Sequence, residues 1–116
     1  MKEYMMVFLG ADYGEGGLEM TPEQIEMRMG KWFAWGDKMA QKGIVAKGKA
    51  LEGRSKRITG PDKVLTDGLA LASKELIGGF YVIEANSMEE VIEIAQDFPD
   101  YDLGSTVEIR EVTKFE

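Results

Sequence analysis

The chain has 116 residues, 14 Lys and Arg against 21 Asp and Glu for a net charge of −7, and neither Cys nor His. With 44% apolar and 30% charged residues it can bury a core of its own, and it reads as a single domain over residues 1–116. Without imidazole or thiol there is no Ser-His-Asp triad, Cys-His pair, zinc thiolate site or thiol redox centre, so any chemistry falls to carboxylates, Lys, Arg, Tyr, Ser and Thr.

The acidic balance opposes duplex nucleic-acid binding, whose affinity comes largely from cations that neutralise phosphates, so no nucleic-acid partner is expected. The apolar run over residues 4–9 is too short for a signal-peptide core or a membrane span. The expectation is therefore no membrane partner and a cytoplasmic location. Only hard oxygen ligands are available for a metal, and Asp100-Tyr101-Asp102 with Glu111 fails as a calcium loop because Gly104 and Ser105 stand where an oxygen donor and a Gly are needed. No metal and no cofactor are expected.

In chain order, the unbroken run Tyr4-Met5-Met6-Val7-Phe8-Leu9 predicts a strand apolar on both faces. Residues 10–20, with four Gly and three acids, predict a loop suited to a lid over a pocket. Its Gly14-Glu15-Gly16-Gly17 lacks the last Gly of a dinucleotide fingerprint and the Lys-Ser or Lys-Thr of a P-loop. Thr21-Pro22-Glu23-Gln24 predicts a capped helix start with Pro where no N–H is needed. Ile25, Met29, Trp32, Phe33, Gly36, Met39 and Ala40 form its expected buried stripe, with Trp35 at the margin and Gly43 as the stop.

Residues 44–51 predict an extended strand, and residues 54–59 and 63–66 a hairpin around Gly60-Pro61-Asp62 that Asp67-Gly68 ends. After a linker over residues 69–78, Phe80-Tyr81-Val82-Ile83 predicts a second strand apolar on both faces. Ser87 through Glu90 predicts another capping box, with Met88, Val91, Ile92, Ala95 and Phe98 as the buried stripe of a helix that Pro99 follows. Asp97, Asp100 and Asp102 read as loop acids, and residues 106–112 as a half-exposed last strand.

This order of strand, helix, strand, hairpin, strand, helix, strand predicts a ferredoxin-like α+β sandwich with an inserted β-hairpin. Two helices cover one face of its sheet. The second apolar face then calls for a homodimer, and whichever of Phe8 and Tyr81 turns away from the helices would mark the contact.

The stretch Val64-Leu65-Thr66-Asp67-Gly68, followed by Lys74-Glu75-Leu76-Ile77-Gly78-Gly79-Phe80-Tyr81-Val82-Ile83-Glu84-Ala85, resembles the YCII-related family in its DGPF branch. The resemblance spans nearly the whole chain and implies one YCII-related, DGPF-like domain over residues 1–116. It also implies a dimeric α+β barrel with a pocket between sheet and helices. The Asp-Gly-Pro-Phe that names the branch reads Asp67-Gly68-Leu69-Ala70 here. The His that related members pair with an Asp is absent, which excludes a His-Asp mechanism.

Asp67, the retained acid of that signature at a strand end, is the candidate catalytic residue, as a general base. Against this, Asp-Gly is a turn dipeptide whose carboxylate takes local N–H groups. Ser73, Lys74 and Tyr81 are candidate ligand-binding residues, with Glu75 beside them. A Lys-Glu neighbour pair is equally a solvated ion pair, and Tyr81 equally a core residue. Six of the 14 cations, Lys47, Lys49, Arg54, Lys56, Arg57 and Lys63, fall in one arm that holds only Glu52 and Asp62 as acids. That arm either steers an anion or acidic partner or protects a sheet edge. The expected function is a small dimeric protein that binds, and in the catalytic case processes, a small organic molecule. The alternative is a noncatalytic dimeric interaction or regulatory module.

Overall fold

Alternation along the first strand sends Tyr4, Met6 and Phe8 into a core and leaves Met5, Val7 and Leu9 partly buried on the other side. The computed structural model describes residues 1–10, 19–67 and 76–115. Its elements are β1 (Lys2–Leu9), α1 (Pro22–Gln41), β2 (Lys47–Ala50), β3 (Lys56–Thr59), β4 (Val64–Asp67), β5 (Ile77–Ala85), α2 (Met88–Ala95) and β6 (Thr106–Glu111). One antiparallel sheet runs β2-β5-β1-β6, and β3 and β4 pair separately as the inserted hairpin. This is the predicted ferredoxin-like α+β arrangement, with both helices contributing to one core.

The start of α1 forms as its residues dictate. Thr21 Oγ1 accepts from the Gln24 N–H at 3.1 Å, and the Thr21 N–H donates to Gln24 Oε1 at 2.8 Å, satisfying two donors that an uncapped helix leaves exposed. Gly43, at φ +78°, supplies the left-handed residue after the helix, and its N–H reaches the Ala40 carbonyl. Trp35 and Met39 of α1 then join Val91, Ile94 and Ala95 of α2 over Tyr4, Met6, Phe8, Ile83 and Ala85. Each such large apolar side chain contributes about 2 kcal/mol by leaving water.

The expected stripe of α1 requires rotation. Trp35 is buried and central, whereas Phe33 is 71% exposed and Ala40 also faces outward. The inner face carries Ile25, Arg28, Met29, Trp32, Trp35, Gly36 and Met39, so the expected Ile25, Met29, Trp32, Gly36 and Met39 hold, and the one cation among them does not show in an apolar pattern. On α2, Ile94 is buried and Ile92 is exposed, because this short helix has two apolar faces and only the Val91, Ile94 and Ala95 face meets the core.

Phe8 and Tyr81 both turn towards the helices, so neither marks the second face of the sheet. The register Met5↔Val82 and Val7↔Phe80 puts those four residues together there, with Leu9 beyond. The expected lid within residues 10–20 falls mostly on residues 11–18, and most of the expected linker on residues 68–75, outside the described residues. No described helix is long and apolar enough to cross a membrane.

Candidate functional site

Three positions that face α1 carry almost no side chain. The register Phe8↔Gly79, Gly79↔Ala50 and Tyr81↔Gly48 aligns Gly79, Ala50 and Gly48 on the helix side of β5 and β2. The strands also demand Gly at two of them. A Cβ on Gly48 would run into the Phe80 carbonyl oxygen, and one on Gly79 would stand 2.8 Å from the Lys49 carbonyl oxygen. Where a ferredoxin-like core would place Leu or Ile, this sheet leaves space.

That space is a cavity of about 430 Å³, within the range of small-molecule sites. The largely exposed Phe33, Leu51 and Glu52 line its open side, Met29 lines it from α1, and the buried Phe98, Asp100 and Ser105 line its inner side. Phe8, Trp32, Tyr81 and Phe98 form a continuous aromatic wall: Phe8 lies 5.1 Å, centroid to centroid, from each of the other three. Behind it, Trp35 donates from Nε1 to the Ile94 carbonyl at 3.0 Å, which locks the inner ring between the helices.

The polar end is built across the chain. Asp100 is 2% exposed, accepting from Arg28 Nη1 at Oδ1 (3.2 Å) and from Trp32 Nε1 at Oδ2 (3.3 Å). Arg28 also grips Asp102 in a two-pronged pair, Nη1 to Oδ1 at 2.9 Å and Nη2 to Oδ2 at 2.6 Å. The guanidinium holds the Asp102 carboxyl down at about 2, chiefly through those hydrogen bonds, while the Asp102 hydrogen bond raises Arg28 above its ordinary value. Burial pushes the Tyr81 phenol up, so it remains a neutral hydroxyl. Gly104, at φ +83°, turns the chain back so that Ser105 follows the 3-10 turn Tyr101–Leu103 into the cavity wall. Ser105 is 7% exposed, and its Oγ has no hydrogen-bond partner among the described residues.

Of the residues singled out from sequence, Tyr81 lines this cavity. Asp67 stands at the end of β4 on the exposed hairpin, paired with Lys56 Nζ at 2.5 Å, and is not part of the cavity wall. Ser73, Lys74 and Glu75 lie outside the described residues, as do Gly14-Glu15-Gly16-Gly17. The structure adds Arg28, Trp32, Asp100 and Ser105. Their one sequence signal was a lone Arg on the helical spacing Ile25, Arg28, Trp32, Trp35, a cation that needs a carboxylate when drawn inward. Among the described residues no three acidic side chains converge as a metal site.

A ferredoxin-like α+β domain with an apolar, aromatic-walled cavity between sheet and helices is the class this architecture defines. The YCII-related domain family model matches residues 5–116, and the chain belongs to that family. No curated protein sequence matches it.

Proposed function

We propose that the cavity between the β2-β5-β1 face and α1 binds a small organic molecule. One observation carries this reading: an apolar, aromatic-walled space of about 430 Å³ lies over the small-residue floor formed by Gly48, Ala50 and Gly79. The test is a calorimetric screen of neutral, anionic and cationic ring compounds against the wild type and Ala50→Phe. Phe at that floor position fills the space over Gly79. Saturable binding that Ala50→Phe abolishes supports the proposal, and no saturable binder in any class ends it.

Within the family, Asp67-Gly68 and Gly78-Gly79-Phe80-Tyr81 favour the DGPF branch as this chain's place. Processing of the ligand, if the protein is an enzyme, rests on carboxylates. Asp100 lies at the cavity end, and a role for Asp67 requires the hairpin to meet the ligand elsewhere. The cysteine-free sequence fits the reducing cytoplasm.

A dimeric assembly, as scaffold for the cavity or as an interaction module in its own right, is favoured by the second face of the sheet. Met5, Val7, Phe80 and Val82 form an apolar stripe there. Lys47 and Lys49 flank it on the β2 edge, and Glu108 and Arg110 on the β6 edge. A second copy related by a two-fold axis can cover both stripes at once.

A further inference from the structure

We infer that the Tyr81 hydroxyl is the hydrogen-bond donor of the cavity, and that the molecule it meets is an uncharged ring compound carrying a carbonyl or comparable acceptor oxygen. The inference rests on the reading of the cavity as a ligand site and specifies the chemistry that site recognises.

Elimination among the described polar side chains of the wall leaves one free donor. Asp100 is buried and already accepts from Arg28 and Trp32, which engages the Trp32 indole N–H as well. Ser105 Oγ is sealed from accessible space. Lys49 pairs with Phe80 in the register, so its side chain projects from the opposite face of the sheet and only its backbone borders the cavity. Glu52 is exposed on the open side and, as a carboxylate, accepts without donating. Tyr81 differs from all of these. Its ring is stacked on Trp35 at 5.6 Å and edge-on to Phe8 at 5.1 Å, and its Cδ1 lies 2.8 Å from the place a Cβ on Gly48 would occupy. Its oxygen makes no hydrogen bond to a described residue, yet unlike Ser105 Oγ it is not sealed, so it stays open to an incoming partner.

The same wall sets the charge and shape of the occupant. Burial pushes the Tyr81 phenol up, so at neutral pH it keeps its proton and can donate it. Among the described lining residues no cation turns inward, and the two carboxylates, Glu52 and Asp100, oppose a carboxylate ligand. An ammonium ligand would shed its water in an apolar cavity whose buried carboxylate, Asp100, already faces Arg28. An uncharged acceptor meets neither cost. The floor of Gly48, Ala50 and Gly79 supplies no bulk, and Phe8, Trp32 and Phe98 stand beside it as a wall of ring edges and faces, which suits a flat ring system.

The test uses three probes on one two-ring skeleton, 2-acetylnaphthalene, 2-ethylnaphthalene and 2-naphthoate, measured by equilibrium dialysis against wild type, Tyr81→Phe and Ala50→Phe at neutral pH. Tyr81→Phe removes one oxygen and keeps the ring contacts, so its thermal midpoint should match wild type. The ketone should bind wild type saturably and at least about tenfold tighter than the carboxylate. Tyr81→Phe should weaken the ketone roughly fivefold, the scale of one lost neutral hydrogen bond, while the hydrocarbon stays within about twofold. Ala50→Phe should abolish both. The inference is overturned if Tyr81→Phe lowers ketone and hydrocarbon affinity equally or lowers neither, or if 2-naphthoate binds as tightly as the ketone. It is also overturned if Tyr81→Phe melts well below wild type, because the oxygen then already has a protein partner. Each of those results leaves the cavity a ligand site as long as Ala50→Phe abolishes binding. If no probe binds wild type, the inference falls, and the wider ring-compound screen alone decides the cavity.

Discussion

Arg28 and Asp100, 72 residues apart in the chain, meet at 3.2 Å between Nη1 and Oδ1, and this contact ties α1 to the 3-10 turn that closes the cavity. The same Asp100 holds the indole of Trp32 one helical turn further along α1, so a single buried carboxylate sets the position of the aromatic wall.

Removing the guanidinium should therefore loosen the cavity end. Arg28→Met keeps an apolar stem but leaves Asp100 Oδ1 without its charged donor. We expect a loss of about 2 kcal/mol, within the range for losing a hydrogen bond to a charged group. Urea denaturation of the variant measures it, and a near-UV circular dichroism change from Trp32 should accompany the loss. A variant with wild-type stability would show that Asp100 is solvated through another route.

The pair with Asp102 carries a pH signature. Its folded carboxyl titrates at about 2 against an ordinary value of 3.8, because Arg28 hydrogen-bonds the ionised form. A depressed acid stabilises the fold above its ordinary value, and that share is lost as the pH falls through the folded value. Thermal melts from about pH 6 to about pH 2 should show wild type losing stability more steeply below its carboxylate range than Asp102→Asn. Asp102 is 57% exposed, so added salt should narrow the gap between the two curves. Parallel curves in low salt would mean that the crossing pair does not persist in solution.

The elements were legible because their signals are local. Thr21 and Gln24 announce the α1 start, Gly43 its stop, and the run from Tyr4 to Leu9 a central strand; each appears in the structure within a few residues. The site was largely hidden, because it depends on what is brought together rather than on what is adjacent. Asp100 looked like one loop acid among three until folding placed it against Arg28 and Trp32. The cavity itself arises from absent side chains at Gly48, Ala50 and Gly79, whose alignment requires the register of β2 on β5. Only Tyr81, apolar in body and on a strand whose pattern was clear, could be placed near a pocket from sequence.

The proposed dimer face makes a direct prediction. Phe80→Lys puts a charge in the middle of the stripe formed with Val7, without touching the helix-side core. Burial of that ammonium opposes association, so sedimentation at micromolar concentration should move from dimer for wild type to a 12.9 kDa monomer for the variant. A wild-type chain that sediments as a monomer would remove the proposal outright.

Asp67 separates the cavity from the hairpin as the seat of function. Its carboxylate and the Lys56 ammonium are 65% and 72% exposed, so water screens their contact. Ion pairs of this kind contribute about 0–1 kcal/mol. Asp67→Asn retains the side-chain shape and one acceptor oxygen, so stability should change by less than about 1 kcal/mol. If the ligand sits in the cavity, its affinity should stay within about twofold of wild type, because sites without shared partners act independently. Paired thermal melts and calorimetric titrations on wild type and Asp67→Asn, using the tightest binder from the ring-compound screen, read both quantities. A fall of ~100-fold or more in turnover or binding, with stability unchanged, would move the site to the hairpin. In that case Asp67 would act as a general base on a ligand that β3 and β4 bring to it, and the cavity would be a structural void.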